Sequence, residues 1–166
     1  MEHTDLVTRA TVVLERPSQW EAWLFLRRST AEQYGIWEYC NPDIEQSKLT
    51  ELIKPSAPKT TSYNNTTSFA NLSADERAAF QFEYKLYECD LAEYTVKKKA
   101  LGLLSAEIAK TVSKDSLFHI YDCFQAGERL RKLKRVFAPS DATRSRELLA
   151  KYKDLQQTQR GKQVEA

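Results

Sequence analysis

The chain has 166 residues, 42% apolar and 29% charged, the proportions of one ordinary globular domain with a core of workable size. Four glycines and five prolines argue against a collagen-like chain, a turn-dense β-sandwich and a glycine-rich phosphate cradle, and no apolar run approaches the ~18 residues of a membrane span. The net charge of +2 hides an asymmetry: residues 128–163 hold eleven Lys/Arg against four Asp/Glu, so that end carries +7 and the remainder −5. Opposite poles suit head-to-tail association or contact with a polyanion.

No secretory leader is visible at the acidic N-terminus, and Thr11-Val12-Val13-Leu14 is short and β-prone, so residues 1–17 read as an extended arm. Ser18-Gln19-Trp20-Glu21 fits a capping box, in which a serine oxygen takes a free helix N–H and a glutamate reaches back. Trp20, Trp23, Leu24, Ala31 and Tyr34 follow at helical spacing, with Arg27, Arg28 and Glu32 left for the outer face. Gly35 is the natural stop, and Ile36-Trp37-Glu38-Tyr39 forms an apolar hook ending at Asn41-Pro42.

Residues 45–72 read as a flexible polar loop, because eleven of the twenty residues in 54–73 are Ser, Thr or Asn, too few apolar groups to offset ordering entropy. Ser73-Ala74-Asp75-Glu76 is a second capping box and opens the longest helix. Phe80, Tyr84, Tyr87, Leu91, Tyr94 and Leu101 make a heptad-like, core-facing stripe along it, and Lys97-Lys98-Lys99 with Gly102 marks a bend or break. Leu103, Leu104, Ile108 and Val112 continue the apolar face. Leu117, Phe118, Ile120, Tyr121 and Phe124 form the densest apolar cluster, the expected hub of the core, with His119 as a core or rim histidine. Leu130, Leu133, Val136 and Phe137 give an amphipathic helix from Gly127 that Pro139 ends. Ser140-Asp141 caps a last helix with Leu148, Leu149, Tyr152 and Leu155 inward, and residues 158–166 read as a polar tail or linker. The expectation is an all-α domain over 18–157, an orthogonal bundle of five to six helices with one long loop.

Chemistry-bearing patterns are absent from the sequence. It has no Walker-A loop, GxGxxG, HExxH, GxSxG or EF-hand loop, and no carboxylate inside an apolar stretch that would raise its pKa for acid–base work. Cys40, Cys89 and Cys123 are far apart, without a CxxC, and read as reduced thiols rather than metal ligands. No enzyme activity, cofactor, metal, small-molecule substrate or membrane partner is expected. Arg129, Arg131, Lys132, Lys134 and Arg135 cluster on one helix, with Arg144, Arg146, Lys151 and Lys153 on the next. Such a face could contact nucleic-acid phosphates without reading bases, or a neighbouring protein.

Trp20-Glu21-Ala22-Trp23 is followed by Trp37-Glu38-Tyr39-Cys40-Asn41-Pro42, a variable polar loop and a tyrosine-rich helix. Leu130-Arg131-Lys132-Leu133-Lys134-Arg135-Val136-Phe137-Ala138-Pro139 and Leu148-Leu149-Ala150-Lys151-Tyr152 come later. This succession resembles the Gag polyprotein of copia-type LTR retrotransposons in its fungal form. The resemblance implies a capsid N-terminal-domain fold, with Trp20, Trp23, Trp37, Tyr39, Pro42, Leu130, Leu133, Phe137 and Pro139 as signature core. It implies a cytoplasmic structural protein that self-assembles with other Gag copies into virus-like particles around element RNA. No CCHC knuckle or capsid C-terminal domain follows in this chain, so the resemblance implies a fragment, a degenerate copy or a domesticated copy, with the parts of Gag that usually package RNA lying elsewhere. The alternative is a small helical nucleic-acid-binding or adaptor module that uses the basic C-terminal helices.

Overall fold

In a computed structural model, which describes residues 12–161, the chain is all-α. Its α-helices are α1 (Trp20–Gln33), α2 (Thr61–Asn64), α3 (Ala74–Lys110), α4 (Ala126–Phe137) and α5 (Asp141–Gly161), and a seven-residue 3₁₀ helix, Lys114–Ile120, joins α3 to α4. Among the described residues there is no β-strand. The arm nevertheless ends in an isolated parallel bridge between Leu14 and Val112, with Leu14 donating to Thr111 O (2.8 Å) and Ser113 donating to Leu14 O (3.1 Å). Leu14 is thereby fully buried, so the last residues of the arm belong to the core.

Helix α1 starts differently from the expected Ser18 box. Pro17–Gln19 form a 3₁₀ turn, and the Gln19 side-chain oxygen accepts the N–H groups of Glu15 (2.8 Å) and Arg16 (2.9 Å). The helix ends as expected: Gly35 takes a φ of 64°, and the Ile36 N–H returns to Ala31 O at 2.9 Å. Glycine adopts that left-handed conformation without a side-chain clash. Ile36 and Cys40 are buried around the short 3₁₀ turn Trp37–Tyr39.

The second capping box forms in full. Ser73 Oγ accepts the Glu76 N–H at 3.2 Å, and Glu76 Oε2 accepts the Ser73 N–H at 2.8 Å. Helix α3 then runs unbroken for 37 residues, through Lys97-Lys98-Lys99 and Gly102, where a bend was expected. An interior glycine costs a helix only about 0.5–1 kcal/mol, too little to stop one held by packing on both sides. The tyrosine-rich stripe is not core. The buried residues of α3 are Ala100, Leu104, Ser105 and Ile108, all near its C-terminus. Upstream, Phe80 meets Tyr63 and Phe69 from the polar loop, with ring centroids at 6.2 and 5.7 Å. The loop therefore has aromatic anchors that its composition did not suggest, although residues 50–59 carry no secondary structure.

The core joins Leu14, Trp20, Trp23, Ala31, Ile36 and Cys40 to the α3 C-terminus, Val112, Ile120, Ala126, Leu130, Leu133 and Phe137. Its polar centre is Thr111. The Trp23 indole N–H points at Thr111 O and Oγ1 (3.1 Å each), and Arg27 Nε–H donates to Oγ1 at 3.3 Å. Arg27, expected on the outer face, is buried and paired with Glu107 at 2.9 Å. Burial lowers the Arg27 pKa, while Glu107 acts to raise it.

Four further expectations fail. Phe118, Tyr121 and Phe124 are exposed, and from that apolar cluster only Ile120 is fully buried. With three residues per turn, the Lys114–Ile120 3₁₀ helix puts Leu117 and Ile120 on one, inward face and Phe118 on another, while Tyr121 and Phe124 follow the helix end. Val136 is exposed beside the buried Leu133 and Phe137. Leu148, Leu149, Tyr152 and Leu155 of α5, expected inward, are all exposed, and α5 continues to Gly161 where a tail was expected from 158. Residues 1–11 and 162–166 lie outside the described residues, as does most of the expected extended arm.

Candidate functional site

The signature residues come from three stretches and meet around α4. Trp20 stacks on Trp23 with centroids 5.7 Å apart, and both are buried in the cluster that holds Leu130, Leu133 and Phe137. Pro42 is buried, while Trp37, Tyr39 and Pro139 are half-buried. Arg28 lies over the Trp37 ring at 5.6 Å, and Lys97 lies over the Tyr39 ring at 5.5 Å with its Nζ 3.4 Å from the hydroxyl. Gly127 permits this convergence at the start of α4: a Cβ there would stand 3.3 Å from the Cys40 Cα. The only residue that fits such a backbone approach without displacement is glycine.

The basic residues of α4 are largely committed within the chain. Arg129 donates to Cys123 O (2.8 Å) and Ser105 O (2.6 Å), and so ties the α4 entry to α3. Lys132 pairs with Asp122 at 2.6 Å, and Lys134 with Asp43 at 2.7 Å. The hydrogen bond from Lys132 holds the Asp122 carboxyl below the ordinary carboxylate range. Arg131 is half-buried against Gly127, and its Nη1 has no hydrogen-bond partner. Arg135 is the exposed member of the five. On α5, Arg144 pairs with Glu21 of α1, whereas Arg146, Lys151 and Lys153 are exposed.

In sequence these cations form one face. The structure instead uses Arg129, Lys132 and Lys134 to fasten the 3₁₀ region and the Pro42 hook to α4. Their partners, two backbone carbonyls and the carboxylates of Asp122 and Asp43, all lie outside α4, so no spacing within the helix signals them. What remains outward is Arg135 on α4 with Arg146, Lys151 and Lys153 on α5, the helix that also exposes Leu148, Leu149, Tyr152 and Leu155.

Among the described residues, no cluster of three His, Cys, Asp or Glu side chains could hold a metal ion, and no helix is long and apolar enough to cross a membrane. The three cysteines are free thiols, Cys40 and Cys123 buried and Cys89 exposed. Burial pushes the Cys40 thiol up to about 12. Comparison with protein-family models, with curated proteins and with solved structures finds no match.

Proposed function

We propose that this chain is a non-catalytic, self-assembling helical domain of the copia-type Gag capsid kind. In this reading its fold is the orthogonal bundle of a capsid N-terminal domain, and its partners are further copies of itself in a shell around element RNA. The observation that carries the reading is the convergence of its signature. Trp20 and Trp23 from one end of the chain, and Leu130, Leu133 and Phe137 from the other, share a single buried cluster. Uncovered apolar side chains on α3 and α5 supply surface for contacts between copies. Lattice contacts of this sort are weak singly, so the dilute chain is monomeric and multimers form on concentration.

A second reading has its own observation. Arg135, Arg146, Lys151 and Lys153 remain exposed, and such cations suit a phosphate backbone read without base contacts. It treats the chain as a monomeric RNA-binding or adaptor module. Expression of the chain, nuclease treatment and electron microscopy separate the two. Regular multimers that survive nuclease support assembly. A monomer whose RNA affinity falls steeply with salt replaces it with the second reading.

A further inference from the structure

A cleft of about 600 Å³ lies between residues 46–52, the middle of α3 and the start of α4. Pockets for drug-sized ligands span roughly 300–1,000 Å³, so this one is large enough for a small organic molecule. Tyr94, Lys98 and Leu101 line it from one face of α3, and Phe124, Gln125 and Arg131 from the α4 side. Its charge is unbalanced. Arg131 is half-buried with Nη1 out of solvent, and among the described residues its guanidinium has neither a hydrogen bond nor an ion pair. Native structures supply an acceptor to nearly every such buried N–H, because leaving one unmade costs its full desolvation. Arg129, Lys132 and Lys134 of the same helix all have theirs.

Lys98 is the second cation on the lining. Its Nζ stands over the Tyr94 ring, 5.7 Å from the centroid, and pairs with no carboxylate among the described residues. Lys97, its neighbour, is by contrast held by Glu93 at 2.7 Å. The first turn of α4 opens into the same cleft through Gln125, Ala126 and Gly127, and no side chain caps it. The helix dipole there adds to the pull of the two cations on an anion. Glu51 is the one acid on the lining; it is exposed and pairs with neither cation. A planar guanidinium fork and an ammonium point charge together suit a group with several acceptor oxygens, as a phosphate monoester has. A bare phosphate would fill only part of the cleft, which Tyr39, Leu49, Leu101 and Phe124 also line. Phe124 is 79% exposed and has no ring contact among the described residues, so a face of its ring is open. An open phenylalanine face beside cations is the arrangement on which nucleobases stack.

We propose that this cleft binds a nucleoside phosphate, with its phosphate held by Arg131 and Lys98 at the start of α4 and its base against Phe124. The site goes beyond the assembly reading and stands whether or not copies of the chain associate. The nucleoside phosphate is either a free mononucleotide or a unit of an RNA strand, and the same two cations serve both.

Amide NMR titration of the full chain with AMP reads the site. AMP shifts the amides of residues 124–127 and 94–102 saturably, whereas adenosine and inorganic phosphate each bind roughly tenfold more weakly, because each lacks one half of the contacts. Arg131→Met and Lys98→Gln each weaken AMP binding roughly tenfold by removing a charged donor. Lys98 is exposed, so its variant keeps the fold and the test stays readable even where loss of Arg131 disturbs packing. Phe124→Ala weakens AMP roughly tenfold by removing the stacking face, and Glu51→Gln tightens it by removing a like charge. A short 5′-phosphorylated oligoribonucleotide distinguishes the two sources. Binding tighter than AMP at the same amides assigns the cleft to RNA, and binding no tighter assigns it to the free nucleotide. AMP that gives no saturable shift at the cleft, a Lys98→Gln variant that binds it as tightly as wild type, or inorganic phosphate that binds as tightly as AMP overturns the proposal.

Discussion

Replacing Trp23 with alanine tests the packing that holds α1 to the end of α3. Trp23 is completely buried, stacks on Trp20, and directs its indole N–H at Thr111. Removing a buried tryptophan side chain costs about 3–5 kcal/mol, depending on how far the site collapses. No orphaned acceptor adds to that figure. Thr111 O keeps the Leu14 N–H, and Thr111 Oγ1 keeps the Arg27 Nε–H. The loss is therefore a packing loss. A change of about 4 kcal/mol lowers the melting temperature of a domain this size by roughly 8–16 °C, at ~2–4 °C per kcal/mol. Trp23→Phe keeps most of the ring and drops the hydrogen bond, so it costs about 1–2 kcal/mol. Urea denaturation of both variants beside wild type gives the two values. A Trp23→Ala loss below about 1 kcal/mol, or a phenylalanine variant as damaged as the alanine one, refutes the reasoning.

The Arg27–Glu107 pair is asymmetric: the arginine is 3% exposed as a residue, and the glutamate side chain is 39% exposed. Glu107→Gln leaves a buried guanidinium without its counter-charge and costs about 1–3 kcal/mol, whereas Arg27→Met removes the charge with its desolvation cost and falls below that, both read by urea denaturation. In a thiol-labelling time course on the native chain, exposed Cys89 reacts first, and Cys40, with its pKa raised to about 12 by burial, reacts only after unfolding. The Asp122 carboxyl titrates below the ordinary range because of Lys132, so its contribution is present at neutral pH and is lost as pH falls through that lowered value. Lys132→Met moves the carboxyl titration, followed by NMR, back up toward the ordinary range; an unmoved titration contradicts the pairing.

Helix content was readable where local chemistry dictates it. The Ser73–Glu76 box, the Gly35 stop and the Leu130/Leu133/Phe137 face each follow from spacing within one turn or two. What was not readable depends on partners far along the chain. Leu14 is core because it pairs with Val112, and Arg27 is buried because Thr111 and Glu107 lie across from it. The apolar density of 117–124 does not mark a buried hub, because density without helical period does not define a buried face: the 3₁₀ geometry turns Phe118 away from Leu117 and Ile120, and Tyr121 and Phe124 lie beyond the helix end. The α5 stripe reads inward in sequence because an amphipathic pattern says that a face wants covering without saying by what; among the described residues nothing covers it. The basic helix looks like one outward patch in sequence because sequence shows charges and not their partners, and Arg129, Lys132 and Lys134 find theirs inside the chain.

Under the proposed function, copies of this chain assemble with one another through their own surfaces. The most direct measurement is electron microscopy of the purified, nuclease-treated chain after concentration, paired with its sedimentation profile. The expected result is a monomer when dilute and regular, nuclease-resistant multimers when concentrated. A chain that remains monomeric at every concentration, and gains mass only by binding RNA in a salt-sensitive way, contradicts it.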